Sequence, residues 1–252
     1  MKKTLMSVGL LALCFVMAAA IVGATPIPVC STTPPTNNLI LYAGTGTTTT
    51  PITAAPNDAN APCSINTLTF QNFSYVINSG SSTTTPPDVA LSAVSTGNPI
   101  VLTLNPNLAS GSDMDLAFQV VGGINEVNLQ FAETTTSNGF VNETVCTVFD
   151  SLSAPCPTGD IIATLFISNG TVTAAAGAAC PGTCTTSTLN GDATVQFSGF
   201  VSQLWVLKDI NTGSGGNFSA VNESFGVPEP MTLSLLGVGF LGLGLLRRRI
   251  QK

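Results

Sequence analysis

Short segments in which apolar and polar residues alternate dominate the middle of this chain, and no window between residues 25 and 227 shows a convincing helical period. Phe73, Tyr75 and Ile77 alternate with polar neighbours, as the inward-facing positions of a half-buried strand do. Glycine-containing pairs such as Gly122-Gly123 stand between these segments as turn signals. Thr, Ser and Asn are abundant, and this composition favours strands and turns over helices.

The pattern predicts an all-β, antiparallel β-sandwich or jelly-roll-like ectodomain, because many short strands follow one another at roughly even spacing. The first long segment shifts its alternation between Phe70 and Phe73, which predicts a bent or bulged strand. Strands are expected over residues 68–77, 89–94, 100–104, 115–121, 126–134, 140–149, 160–168, 194–200, 204–210 and 218–225.

The N-terminus has the pattern of a secretory signal peptide. Lys2 and Lys3 precede an uncharged apolar run, and the small residues Gly23 and Ala24 follow it. We expect a signal helix over residues 1–24 that is removed after Ala24, with Ala20 as the alternative cleavage position. A retained anchor is disfavoured because the segment is short for a membrane span.

The C-terminus carries a second apolar segment. Residues 231–246 contain no charge, and Arg247, Arg248 and Arg249 follow at once. As a helix this stretch is about 24 Å long. Arginine side chains that reach towards the headgroups and modest bilayer thinning allow it to span. We therefore expect a transmembrane helix over residues 231–246, with the basic stop in the cytoplasm and the body of the protein outside.

Val227-Pro228-Glu229-Pro230 stands directly before this apolar segment. This order of a Pro-Glu-Pro motif, a short Gly- and Leu-rich span and a terminal arginine cluster resembles the PEP-CTERM sorting signal. The resemblance covers about the last 26 residues and implies recognition and removal of the tail by an exosortase-type membrane enzyme. It also implies a bacterium that makes extracellular polysaccharide. The two prolines keep the motif extended and withhold two N–H donors, so it joins neither a sheet nor a helix.

Charge and histidine content exclude several functions. Lys208 is the only basic residue between residues 25 and 227 and stands against twelve acidic residues, a net charge of about −11. Such a body does not neutralise a phosphate backbone, so we expect no nucleic-acid partner. The chain has no histidine. Its absence removes His-based triads and most zinc sites, and we expect no metal and no cofactor.

The body contains an even number of cysteines, which in an exported chain indicates disulfides. Fifteen connectivities are open, and we favour neighbour pairing because each pair then closes a local loop. The candidate disulfide residues are Cys30, Cys63, Cys146, Cys156, Cys180 and Cys184.

Candidate chemistry in the body is weak. Asp113 and Asp115 either bind Ca²⁺ together with loop carbonyls or belong to a solvated loop, and the sequence leaves this open. Lys208 is expected to be a surface charge, and Trp205 is expected in the core. A glycosidase needs two facing carboxylates, and no spacing selects a pair from the available acids. These acids are Asp88, Glu126, Glu133, Glu143, Asp150 and Asp160.

Four regions follow from these observations: a signal peptide over 1–24, a low-complexity leader over 25–62, an ectodomain over 63–226 and a sorting signal over 227–252. We expect a non-enzymatic protein of the cell surface or extracellular matrix, anchored transiently in the inner membrane and then released outside. The alternative is a carbohydrate-binding module of the exopolysaccharide layer, and a polysaccharide-active enzyme is a third reading.

Overall fold

The computed structural model describes residues 27, 30, 62–80, 90–95, 97–106, 108–133, 138–152, 156–168, 171–214 and 218–228. The predicted signal peptide, most of the leader, Glu229, Pro230, the segment 231–246 and the arginine cluster lie outside these residues. In the part of the chain that the structure describes, no helix has the length and apolar character needed to cross a membrane.

The described chain is all-β, as the sequence predicts, and its strands pair antiparallel. Two single 3₁₀ turns, Thr158–Asp160 and Leu189–Gly191, are the helical elements among the described residues. The strands are β1 (Cys63–Ile65), β2 (Leu68–Ser79), β3 (Ala90–Ser95), β4 (Ile100–Asn105), β5 (Asp113–Glu133), β6 (Phe140–Cys146), β7 (Ile161–Ser168), β8 (Thr171–Ala176), β9 (Cys184–Ser187), β10 (Ala193–Asn211) and β11 (Phe218–Gly226).

A ribbon of the two long strands β5 and β10 forms the centre of the fold. One edge of β5 pairs with β2 along its first part and with β11 along its second part. The outer edge of β10 likewise pairs with β9 and then with β6. The sheet continues from β11 to β4 and β3, and from β6 to β7 and β8. One end of the ribbon therefore lies in a first group of strands, with β1, β2, β6, β7 and β8. Its other end lies in a second group, with β3, β4, β9 and β11.

The ribbon bends in the middle, so that the two groups face each other. Lys208 pairs with Leu116 of β5, whereas Glu223 pairs with Leu129 of the same strand. Thirteen residues of straight strand would separate these positions by about 43 Å. Because Lys208 Nζ lies 2.6 Å from a carboxylate oxygen of Glu223, β5 must fold back between them.

The bend explains where the structure differs from the sequence prediction. Residues 115–121 and 126–134 were expected to be separate strands, as were 194–200 and 204–210, but each pair is one continuous strand. Gly122 does not end β5. Its φ of +142° kinks the strand, and a side chain there would collide with Leu68 and Thr67. The register of β10 with β5 shifts after Gln196, so β10 bends beside the bend of β5.

One apolar core lies between the two groups of strands. Phe70 of β2 packs against Phe118 of β5 and also against Phe225 of β11, with ring centroids 6.4 and 5.7 Å apart. All three rings are buried. The predicted bulge in β2 is confirmed: its register with β5 shifts after Gln71, and Asn72 has a φ of +56°.

Candidate functional sites

The last described strand leads directly into the proline motif. β11 ends at Gly226, and Val227 packs against the core. The side chain of Asn98 donates to the Val227 carbonyl and accepts from the Val227 N–H, both at 3.1 Å. Pro228 is exposed, and its ring lies beside Gly123 at the bend of β5. The first two residues of the predicted motif thus leave the sheet at a defined point.

The cysteines pair as neighbours, which confirms the favoured connectivity. Cys30 bonds to Cys63, Cys146 to Cys156 and Cys180 to Cys184, with Cα–Cα distances of 4.7, 6.0 and 6.3 Å. The first pair brings residue 30 beside β1, where the Cys30 N–H donates to the Ser64 carbonyl at 3.0 Å. The predicted leader is therefore covalently attached to the ectodomain at that point.

The prediction that Lys208 is a surface charge is wrong. Lys208 is fully buried and makes ion pairs with Glu143 and Glu223, which are fully buried as well. We call these three residues the buried triad. Burial by itself lowers the pKa of Lys208, but the charges of the two carboxylates outweigh burial and raise it. Burial, and then the negative charge of Glu143, raise the pKa of Glu223 well above its usual value.

The period-two alternation along the strands contains a signal for the buried triad, which differs from the surface position expected for Lys208. Leu204, Val206 and Ile210 alternate along β10, and this period of two places Lys208 on the same inward face. Glu143 lies between two buried valines of β6, and Glu223 lies between Val221 and Phe225 of β11. A charged residue at an inward strand position indicates a buried ionic partner, although the pattern alone does not say which one.

Asp113 and Asp115 lie on the outward face of β5, and the structure adds Asp209 of β10 to them. Asp209 is the register partner of Asp115 and hydrogen-bonds Asp113. Burial, followed by the charge of Asp113, raises the pKa of Asp209 to about 7. In the described ranges no three side chains of ligand type come together so that they could hold a metal ion.

A polar groove of about 200 Å³ lies on the outward face of β4, β11 and β5. Amide and carboxylate side chains dominate its lining, and burial raises the pKa of Glu126 there. Asn222 Oδ1 is buried and has no hydrogen-bond partner among the described residues. The groove is lined by Pro99, Val101, Glu126, Asn128, Gln130, Asp192, Asn222 and Ser224.

Trp205 is not in the core. It lies on the outward face of β10, half-buried, with its ring 4.9 Å from the ring of Phe149. The groove is lined by other residues, so the ring and the groove are separate features. Among the candidate glycosidase acids, Glu143 is buried, Glu126 lines the groove and Asp150 is exposed. The structure does not bring these three together. The side chains of Asp88 and Glu133 lie outside the described residues.

Comparison of this chain with models of known protein families, with curated proteins and with solved structures finds no match in any of the three.

Proposed function

We propose that this chain is a non-enzymatic exported protein of the cell surface or extracellular matrix, sorted by exosortase-type processing of its C-terminal tail. The observation that carries the proposal is the position of Val227 and Pro228. The motif starts one residue after the last strand ends, and Pro228 is exposed. A processing enzyme at the membrane surface would thus meet an exposed proline next to a folded domain.

Two further observations support this proposal. Three disulfides are expected in an oxidising compartment and are rare in the cytosol. The ectodomain between residues 63 and 226 is proposed to be a β-sandwich with jelly-roll-like strand exchange. Its support is the shared core between two facing groups of strands, joined by bent strands that pass from one group to the other.

The test is the intact mass and fractionation of the full chain, expressed in a host with an exosortase-type enzyme. We expect a species that starts at Thr25, ends near Pro228–Pro230 and has left the inner membrane. Replacing Pro228, Glu229 and Pro230 together with alanine should leave the full tail in the membrane. Pro86-Pro87-Asp88, a proline pair followed by an acid, provides the matched control triple, whose replacement should not affect processing. Retention of the wild-type tail in this host would refute the proposal.

A carbohydrate-binding module remains the second candidate, and the polar groove is the observation that favours it. Asn128, Gln130 and Asn222 offer both donors and acceptors, which hydroxyl groups of a neutral sugar require. The described residues that line the groove include Glu126 and Asp192 but no Lys or Arg, so an anionic ligand is disfavoured. The volume lies below the 300 Å³ at which drug-sized pockets begin, so a single sugar unit is the appropriate size.

Calorimetric titration of the full chain with neutral polysaccharides tests this second function. Asn222→Ala combined with Gln130→Ala should abolish binding if the groove holds a sugar. Asn142→Ala is the matched control, because Asn142 is an exposed asparagine on β6 and lies outside the groove. Equal binding by the control and the double variant would exclude the groove as the site.

A further inference from the structure

The buried triad joins a potential nucleophile and two carboxyl groups in the apolar core. Lys208 Nζ contacts Glu143 Oε2 and lies 2.6 Å from Glu223 Oε2. All three side chains have no solvent exposure. The second carboxylate oxygens of Glu143 and Glu223 are buried and accept no hydrogen bond from any other described residue, and the two carboxyl groups hydrogen-bond each other. An amine held between two buried carboxyl groups has one acid more than a simple ion pair needs, and burying that additional acid is costly.

The strand register holds the reacting groups together. Lys208 and Glu143 are direct cross-strand partners on β10 and β6, and their side chains point to the same face. Their other register partners, Leu116 and Leu165, are fully buried. Glu223 reaches Lys208 from β11, on the opposite side of the core. The amine therefore has one carboxyl group fixed beside it and a second carboxyl group within hydrogen-bond reach.

We propose that Lys208 and Glu143 condense to an intramolecular isopeptide bond, with Glu223 as the proton relay. The bond formed is Nζ–Cδ, the bond broken is Cδ–O of the Glu143 carboxyl group, and one water molecule leaves. No oxidant, reductant or other co-reactant is needed, because an amine and a carboxylic acid give an amide and water.

The number of protons that the three side chains of the buried triad share is compatible with this step. With an ammonium, one carboxylate and one carboxylic acid, the buried triad is neutral overall. The reactive form has a neutral amine beside a neutral acid, and it arises when one proton moves from Lys208 to Glu143 within the ion pair, which leaves the net charge of the buried triad unchanged. The raised pKa of Glu223 keeps its proton available. Glu223 can then donate that proton to the departing hydroxyl and accept one from the nitrogen.

The fixed geometry of the three side chains accelerates the reaction. Groups that are held in contact react as if at very high concentration, since no translational or rotational freedom is lost on reaction. The product also replaces a buried ammonium and a buried carboxylate by a neutral amide, which removes their desolvation cost. Glu143 is the acyl partner rather than Glu223, because its register pairing with Lys208 fixes both backbones.

Intact-mass analysis of the full-length protein after folding tests the inference. We expect a mass lower by one water molecule than that of the disulfide-bonded chain. Digestion under denaturing conditions should yield one branched peptide that contains residues 143 and 208. The proposal would be overturned if the natively folded protein showed no loss of water in its mass and if an amine reagent labelled Lys208 after unfolding.

Variants assign the roles. Lys208→Met should show no loss of water in its mass, because the thioether of methionine cannot form an amide with a carboxyl group. Glu223→Gln should lower the cross-linked fraction several-fold, because it removes the proton relay and leaves the reacting pair in place. Glu126→Gln, a carboxylate outside the buried triad, is the matched control and should cross-link like wild type. Unchanged cross-linking in folded Glu223→Gln would refute the relay.

Discussion

Asn98 satisfies both backbone polar groups of Val227, its carbonyl and its N–H, through hydrogen bonds of 3.1 Å each. Asn98 lies two residues before β4, and Val227 directly follows β11, which pairs with β4. Two segments 129 residues apart are thereby joined at the position where the proline motif leaves the sheet.

Asn98→Ala is expected to loosen this exit while the domain remains folded. Both bonds are exposed, so the free energy of unfolding should fall by no more than about 1 kcal/mol. Amide hydrogen exchange at Val227 should nevertheless become markedly faster, because its local partner is gone. Asn142→Ala, at an exposed position on β6, is the control and should leave exchange at Val227 unchanged. Slow exchange in Asn98→Ala would show that the side chain does not hold Val227.

Phe70→Ala should be strongly destabilising. The ring is fully buried and contacts aromatic side chains from both groups of strands, so its removal leaves a cavity at their junction. The expected loss is about 3–5 kcal/mol in the free energy of unfolding. Phe200 is 66% exposed, and Phe200→Ala should change this value by less than about 0.5 kcal/mol. Urea unfolding measures both, and similar losses would contradict the assigned core.

The disulfides should differ in how much they stabilise the fold. Cys30–Cys63 closes a loop with a sequence separation of 33, whereas Cys180–Cys184 closes one of 4. In the chain-entropy model, replacing the first pair by alanine costs about 4 kcal/mol and replacing the second costs about 2 kcal/mol. The urea midpoints of the two double variants measure the difference. Equal midpoints would argue against unfolded-state entropy as the main contribution.

Stability should depend on pH through Asp209. Its pKa of about 7 in the folded state lies above the ordinary 3.8, so the folded protein holds a proton that the unfolded chain has lost. Stability from this group therefore falls as pH rises from about 4 to about 7, and then levels off. The contributions of Asp115 and Glu126 to stability also fall as pH rises, because burial raises their pKa values too.

Asp209→Asn isolates the contribution of this one carboxyl group. The melting temperature of the variant should exceed that of wild type at pH 8 and approach it at pH 5, because the amide carries no charge beside Asp113 and Asp115. Asp150→Asn removes one negative charge at an exposed position and is the matched control. A variant with the same pH slope as wild type would place the titration elsewhere.

The fold class and the local elements follow from the amino-acid pattern alone. Alternation with a period of two predicted most strands to within a few residues, because the side chains of a strand point alternately to core and solvent. It also predicted the bulge in β2, where the alternation shifts, and the neighbour pairing of the cysteines, where short loops bring the partners close. The short strands β1 and β9 lacked enough residues to show a period.

The contacts between distant residues depend on how the strands are arranged in three dimensions. The sequence pattern places Gly122 in a turn, but Val121 and Ile124 on either side of it both pair with β10, so Gly122 is a bend inside β5, and this bend brings Glu223 to Lys208. The polar groove and the bond between Asn98 and Val227 likewise depend on pairing between β4 and β11. Local patterns define which face a side chain occupies. Contacts across the core depend on strand order and on the folding back of the ribbon, which no local period encodes.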